Sequence, residues 1–268
     1  MKPSLKLIPA LLICAGLCIY SGCKKTANLP AVNTNGNIKS ISSQIALNLY
    51  ASITGKFGGT NIHDGIKAPS SLSRRGPVVN SLNSLCGYII DTVYNSTTPG
   101  VDTTKKLTGE FKFIYNCSAS SVDGFTVYDS LKNVATGIGF MDTALVVQSY
   151  LVKASDPGFN TFSINGYIKS YINNVVPGTA IQFNLLSSLY SLSGLKVDNT
   201  GSTPDITAGT ATFSTTATSQ NSATPGGPST AVYTGIIVFL GNHMATLTIN
   251  TGGKTYVYTV NLLTGALS

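Results

Sequence analysis

The sequence predicts an all-β fold: an antiparallel meander of about ten strands, curled into a barrel, half-barrel or sandwich, with one N-terminal amphipathic helix. Three observations point there. Apolar and polar residues alternate with period two from Cys86 to Leu262. Charged residues are only 10% of the 268, and Glu occurs once, at Glu110, so salt-bridge-laced helices have nothing to build on. Turn chemistry recurs at hairpin spacing, too short for the crossovers a parallel sheet needs.

Taken in order, residues 24–37 are polar and aperiodic, and residues 23–39 read as a tether holding the fold roughly 20 Å from its start. The helix spans 40–54. Ile41, Ile45, Leu49 and Ile53 recur every fourth residue, flanked by Ala46 and Tyr50. Ser42 or Ser43 offers an N-cap and Gly55 a stop, and the single apolar stripe suggests a helix laid on the sheet. Residues 57–85 lack a sustained pattern and read as an irregular loop, long enough to suggest a functional or a disordered segment. Strands follow over 86–262, completing one β-rich domain at 40–268. Ten alternating runs are separated by Pro99-Gly100, Asp123-Gly124, Pro157-Gly158, Pro177-Gly178, Gly226-Gly227, Gly241-Asn242 and Gly252-Gly253, among others. So many strands exceed what a flat open sheet tolerates, hence the curl. Gly235–Leu240 is apolar at both parities and predicts a doubly covered strand.

The first hairpin can be read in register. Folding symmetrically about the turn at Thr98–Thr104 sets Cys86 opposite Cys117, Tyr88 opposite Tyr115, Ile90 opposite Phe113 and Thr92 opposite Phe111. A one-residue slip would split this apolar face, so the register is well specified. Directly opposed residues have Cβ atoms about 4.5–5.5 Å apart, which predicts a Cys86–Cys117 disulfide.

The first 22 residues read as an export signal. Lys2 and Lys6 form a positive start, Leu7–Tyr20 an apolar run too short to cross a bilayer comfortably, and Ser21-Gly22 a small-residue cleavage site before Cys23. Cys14 and Cys18 follow the bulky Ile13 and Leu17. The segment resembles the lipobox of bacterial lipoproteins, with Tyr20 where that family usually has Leu, Val or Ile. The resemblance covers this segment alone and implies an acylated Cys23, with palmitate-type chains, as the mature N-terminus. Lys24, rather than Asp, follows the cysteine; by the family's sorting rules this implies an outer membrane. No acidic tract follows, which favours the periplasmic face over the surface. Cys86 and Cys117 then remain as an even pair in a disulfide-permissive compartment.

Candidate chemistry is sparse. No catalytic motif, metal-ligand spacing or cofactor fingerprint occurs, and the reading is of a protein that is not an enzyme. The net charge is +7, or +5 once Lys2 and Lys6 leave, and it forms no basic stripe, so nucleic acid is not an expected partner. His63, Asp64, Arg74 and Arg75, in the irregular loop, are candidate binding residues; His243 sits in a hairpin turn. The chain has 13 Tyr and no Trp. Tyr88, Tyr115, Tyr128, Tyr167, Tyr171, Tyr190, Tyr233, Tyr256 and Tyr258 fall in strands, where tyrosine is more often a half-buried sheet residue than a ligand platform. Four Asp-Ser/Thr triplets resemble the acceptor site of an O-glycosylation system of exported bacterial proteins, implying modification at Thr92, Thr103, Ser130 or Thr143.

Together these residues point to a lipid-anchored, non-enzymatic envelope protein with a binding, structural or interaction role. Its expected partners are the membrane, through the anchor, and an envelope protein, a glycan or an apolar ligand. One alternative is a carrier holding an apolar ligand in a half-barrel cavity. A second is a pilus or fimbrial subunit processed at Arg74-Arg75.

Overall fold

A computed structural model describes residues 38–65, 85–119, 121–176, 182–201, 203–220 and 227–268. Its elements run in the order α1 (Ile38–Ile53), a 3₁₀ turn (Ile62–Asp64), β1 (Ile89–Pro99), β2 (Thr103–Ser118), β3 (Ser121–Gly137), β4 (Phe140–Ala154), β5 (Thr161–Val176), β6 (Gln182–Asp198), β7 (Asp205–Gln220), β8 (Ser229–Gly241), β9 (Met244–Thr251) and β10 (Lys254–Asn261). The expected runs become these strands one for one. All ten lie in one antiparallel sheet in sequence order, with β1 and β10 as its two edges. The sheet is therefore open, a meander without barrel closure.

Alternation fixes which face looks inward. One cross-strand row reads Phe111, Asp129, Gln148, Ile168, Tyr190 and Phe213 from β2 to β7, and every member is buried. Gly166 makes room in the neighbouring row. Its φ is +146°, and a Cβ there would fall 2.6 Å from Cβ of Tyr150 and 2.3 Å from the Ser149 carbonyl oxygen. Only glycine lets β4 and β5 pass at that separation.

The curl follows from what surrounds α1. From β4, Gln148 Nε2 donates to the Ser52 carbonyl at 3.2 Å, and from β6 the Tyr190 hydroxyl donates to the Ile45 carbonyl at 2.9 Å. The helix also packs on β5, β9 and β10. Laid flat, β4 to β10 would spread over roughly 29 Å at ~4.8 Å per strand, yet Ser52, which meets β4, and Ser43, which meets Gly265 just past β10, are only about 14 Å apart along the helix axis. The sheet must bend round the helix. This is a half-barrel with α1 in its hollow.

Burial inside the curl corrects the expectation of a one-sided helix. Eleven of the sixteen α1 residues are buried, including Ser42, Gln44, Asn48 and Ser52 as well as the Ile41, Ile45, Leu49 and Ile53 stripe. The helix starts at Ile38, so Ser42 and Ser43 lie inside it and cap nothing. Ser42 Oγ instead donates back to the Ile38 carbonyl at 2.7 Å, and Ser43 Oγ reaches the Gly265 carbonyl at 2.7 Å. The C-terminus ends as expected: Gly55 has φ +70°, Lys56 N–H bonds the Ala51 carbonyl and Gly55 N–H that of Ser52, a Schellman pattern.

The described start of the irregular loop, residues 57–65, holds one 3₁₀ turn and no strand, and it is anchored on the domain by the buried Phe57, Thr60 and Ile62. One further expectation is corrected. Strand β8 is not doubly covered. Ile237 and Phe239 face the core, while Leu240 is 52% exposed, because in a single-layer sheet the outward parity meets solvent whatever its composition. Past β10 the chain turns on Asn261, whose Oδ1 accepts from the N–H groups of Leu263 and Thr264, each at 3.0 Å. It then returns along β10, pairing Ser268 with Thr259 and Ala266 with Asn261. This short tail covers part of an otherwise open edge.

Candidate functional site

The β1–β2 register is the expected one, with Ile90 opposite Phe113 and Thr92 opposite Phe111. Cys86 and Cys117 are bonded, with Cα atoms 5.7 Å apart. Cys86 itself lies just ahead of β1 rather than within it.

Several sequence candidates fall outside the described residues: the signal segment with Cys23, Arg74 and Arg75, and the side chain of His63. The backbone of His63 and Asp64 lies in the 3₁₀ turn. His243 is the hairpin residue expected: Asn242 and His243 have φ of 54° and 55°, the left-handed pair of a two-residue turn. Its N–H donates to Asp205 Oδ1 at 3.0 Å and its Nδ1 lies 3.4 Å from the same oxygen, which ties the β8–β9 turn to β7. Among the described residues no group of three His, Cys, Asp or Glu side chains is arranged to hold a metal ion.

The Asp-Ser/Thr triplets separate by position. In a strand, alternation sends the acid and its hydroxyl to opposite faces. Ser130 is exposed while Asp129 is buried, and Thr92 is half-buried on the inner face while Asp91 is exposed. Thr143 is half-buried, next to Asp142, which accepts from Asn174 Nδ2 at 2.8 Å. Thr103 alone follows its acid through a turn, with Asp102 exposed between β1 and β2.

Two constellations emerge that the sequence reading did not single out. The first is internal. Asp129 is 4% exposed, and neither carboxyl oxygen accepts a hydrogen bond. Directly opposite, Gln148 spends its Nε2 on Ser52 and leaves Oε1 without a donor. The Gly58-Gly59-Thr60 segment covers the pair: a Cβ on Gly59 (φ +85°) would stand 2.5 Å from Asp129 Oδ2, and the Thr60 hydroxyl bonds that of Tyr150. Burial pushes the Asp129 carboxyl up to about 8, with the main chain of Gln148 acting weakly in the opposite direction. At neutral pH Asp129 is therefore an acid, whose proton can meet the acceptor that Gln148 leaves unpaired. Burial raises the Tyr150 phenol too, and the nearby Asp129 adds to the effect.

The second is external. The strand tyrosines divide by face. Tyr115, Tyr190 and Tyr233 are buried in the curl, while Tyr128, Tyr167 and Tyr171 stand on the outer face at 49%, 40% and 38% exposure. Two hollows, of about 280 and 310 Å³, open among them across β1–β7 and adjoin at Val147. Parity could have found them: Lys169 lies between Tyr167 and Tyr171 at their parity, and Lys132 shares that of Tyr128, so these tyrosines face solvent. Comparison with family models, with curated proteins and with solved structures finds no match to this chain.

Proposed function

We propose that this chain is a lipid-anchored module of the cell envelope, held by acylated Cys23 at the periplasmic face of an outer membrane, whose domain binds through its surface without catalysis. The observation that carries the choice is the place of α1. A carrier of apolar ligand would keep the hollow of its half-barrel open, and here the helix occupies it. Expelling the helix would expose Ile41, Ile45, Leu49 and Ile53. At ~1.5–3 kcal/mol each, that cost rivals the whole stability of an ordinary domain. The outer face is then the surface open to a partner.

Mass spectrometry of the mature protein, purified from envelopes, tests the anchor. The expected result is an N-terminal peptide that begins at Cys23 and carries two or three acyl chains. An unmodified Cys23 or cleavage elsewhere overturns the anchor, and an N-terminus beginning just after Arg74-Arg75 would favour the pilus or fimbrial alternative. The same spectra address O-glycosylation, which we propose first at Thr103, the half-buried residue that opens β2 beside the β1–β2 turn.

A further inference from the structure

We infer that the outer trough between Tyr128 and Tyr167 is a binding site for a neutral glycan chain. The inference rests on the surface-binding reading above and names its ligand class.

The register builds the trough. Lys112, Tyr128, Ser149 and Tyr167 are successive cross-strand partners on β2 to β5. Two tyrosine rings thus flank a small hydroxyl floor, on strands about 9–10 Å apart. Lys169 Nζ lies 5.8 Å from the centre of the Tyr167 ring, a cation–π contact that helps to hold it upright. Each ring has an apolar face to offer, as sugar C–H faces require, and a polar tip for hydroxyls.

The rest of the lining excludes other ligand classes. Asp91, Glu110 and Lys112 lie round the first hollow and Lys169 at the second, placing two acids and two bases along the trough in a chain poor in charge. An anionic ligand would meet both carboxylates, and an acyl chain would meet too many polar groups. Sugar hydroxyls donate to carboxylates and accept from ammonium groups, so a neutral polyhydroxylated chain uses both signs. The second hollow continues the floor with serines and Leu189 alongside Tyr171, so the trough suits a linear chain lying across the strands.

The test is affinity electrophoresis and calorimetry of the mature protein against neutral linear glucans, mannans and N-acetylhexosamine oligomers, with an acidic polysaccharide alongside. The expected result is binding to at least one neutral chain, weakened tenfold or more by Tyr128→Ala and by Tyr167→Ala. Val257→Ala, exposed on β10, should bind as the parent does, with all variants melting within a few degrees of it. Binding to none of the neutral chains, binding only to the acidic one, or tyrosine variants that bind like the parent would each overturn the inference. The anchor is read separately: an acylated Cys23 without glycan binding defeats the site alone, and binding by an unacylated chain defeats the anchor alone.

Discussion

Raising the pH from 5 to 9 should cost the domain several kcal/mol of stability, and Asp129→Asn should remove most of that loss. The carboxyl titrates at about 8 in the folded state and near ~3.9 in the unfolded chain. Between those values the folded protein keeps a proton that the unfolded chain has released. A raised folded-state pKa thus stabilises fully below ~4, and the contribution is lost as the pH climbs through 8. The slope is at most ~1.4 kcal/mol per pH unit, which bounds the total near ~6 kcal/mol. Water entry and movement of the Gly58–Thr60 cover reduce the figure. Asparagine keeps the shape, cannot ionise, and its amide N–H can donate to the Gln148 Oε1 that lacks a donor. Urea unfolding of the parent and Asp129→Asn at pH 5, 7 and 9 checks this; parallel pH profiles would refute a buried neutral acid.

Breaking Cys86–Cys117 should lower the melting temperature by about 7–14 °C. The bond closes a loop of 31 residues, for which chain entropy gives about 3.5 kcal/mol, acting mainly on the unfolded state. For a domain of this size each kcal/mol shifts the midpoint by roughly 2–4 °C. Position adds to the effect. Strand β1 is an edge and pairs only with β2 among the described residues, so the bond staples the end of an edge strand. Melting the Cys86→Ser/Cys117→Ser variant beside the parent decides it, and equal midpoints would show that the pair contributes nothing.

Much of the fold was legible because a meander needs only local instructions: Pro-Gly, Gly-Gly and Gly-Asn turns to reverse the chain, and period two to choose a face. The first register was legible because Cys86, Tyr88, Ile90 and Thr92 share a parity that only one pairing keeps apolar. The immersion of α1 was not. Ser42, Gln44, Asn48 and Ser52 look like a solvent face in sequence. Yet Ser42 and Ser52 donate back to the carbonyls of Ile38 and Asn48, so their hydroxyls are satisfied within the helix and cost little to bury. Asp129 could have been found, since it shares the parity of Val127 and Leu131. The outer trough also needed β3, β4 and β5 set side by side, because Tyr128 and Tyr167 are far apart in the chain.

The C-terminal tail bears on how the domain assembles. Ser43, near the start of the fold, bonds the carbonyl of Gly265, 222 residues later, and the Ile45 carbonyl waits for Tyr190. A helix of this length is marginal alone in water, so it cannot settle before the strands that enclose it exist. Hairpins can close as the chain emerges, each from neighbours a few residues apart, but the helix lacks its contacts with β9, β10 and Gly265 until more than two hundred further residues have followed it. Contacts of such long separation fold slowly, and meanwhile the inner apolar face stays open to other chains. A chain fixed to a membrane by its first residue would spend that interval tethered, its early helix held beside the sheet it must enter.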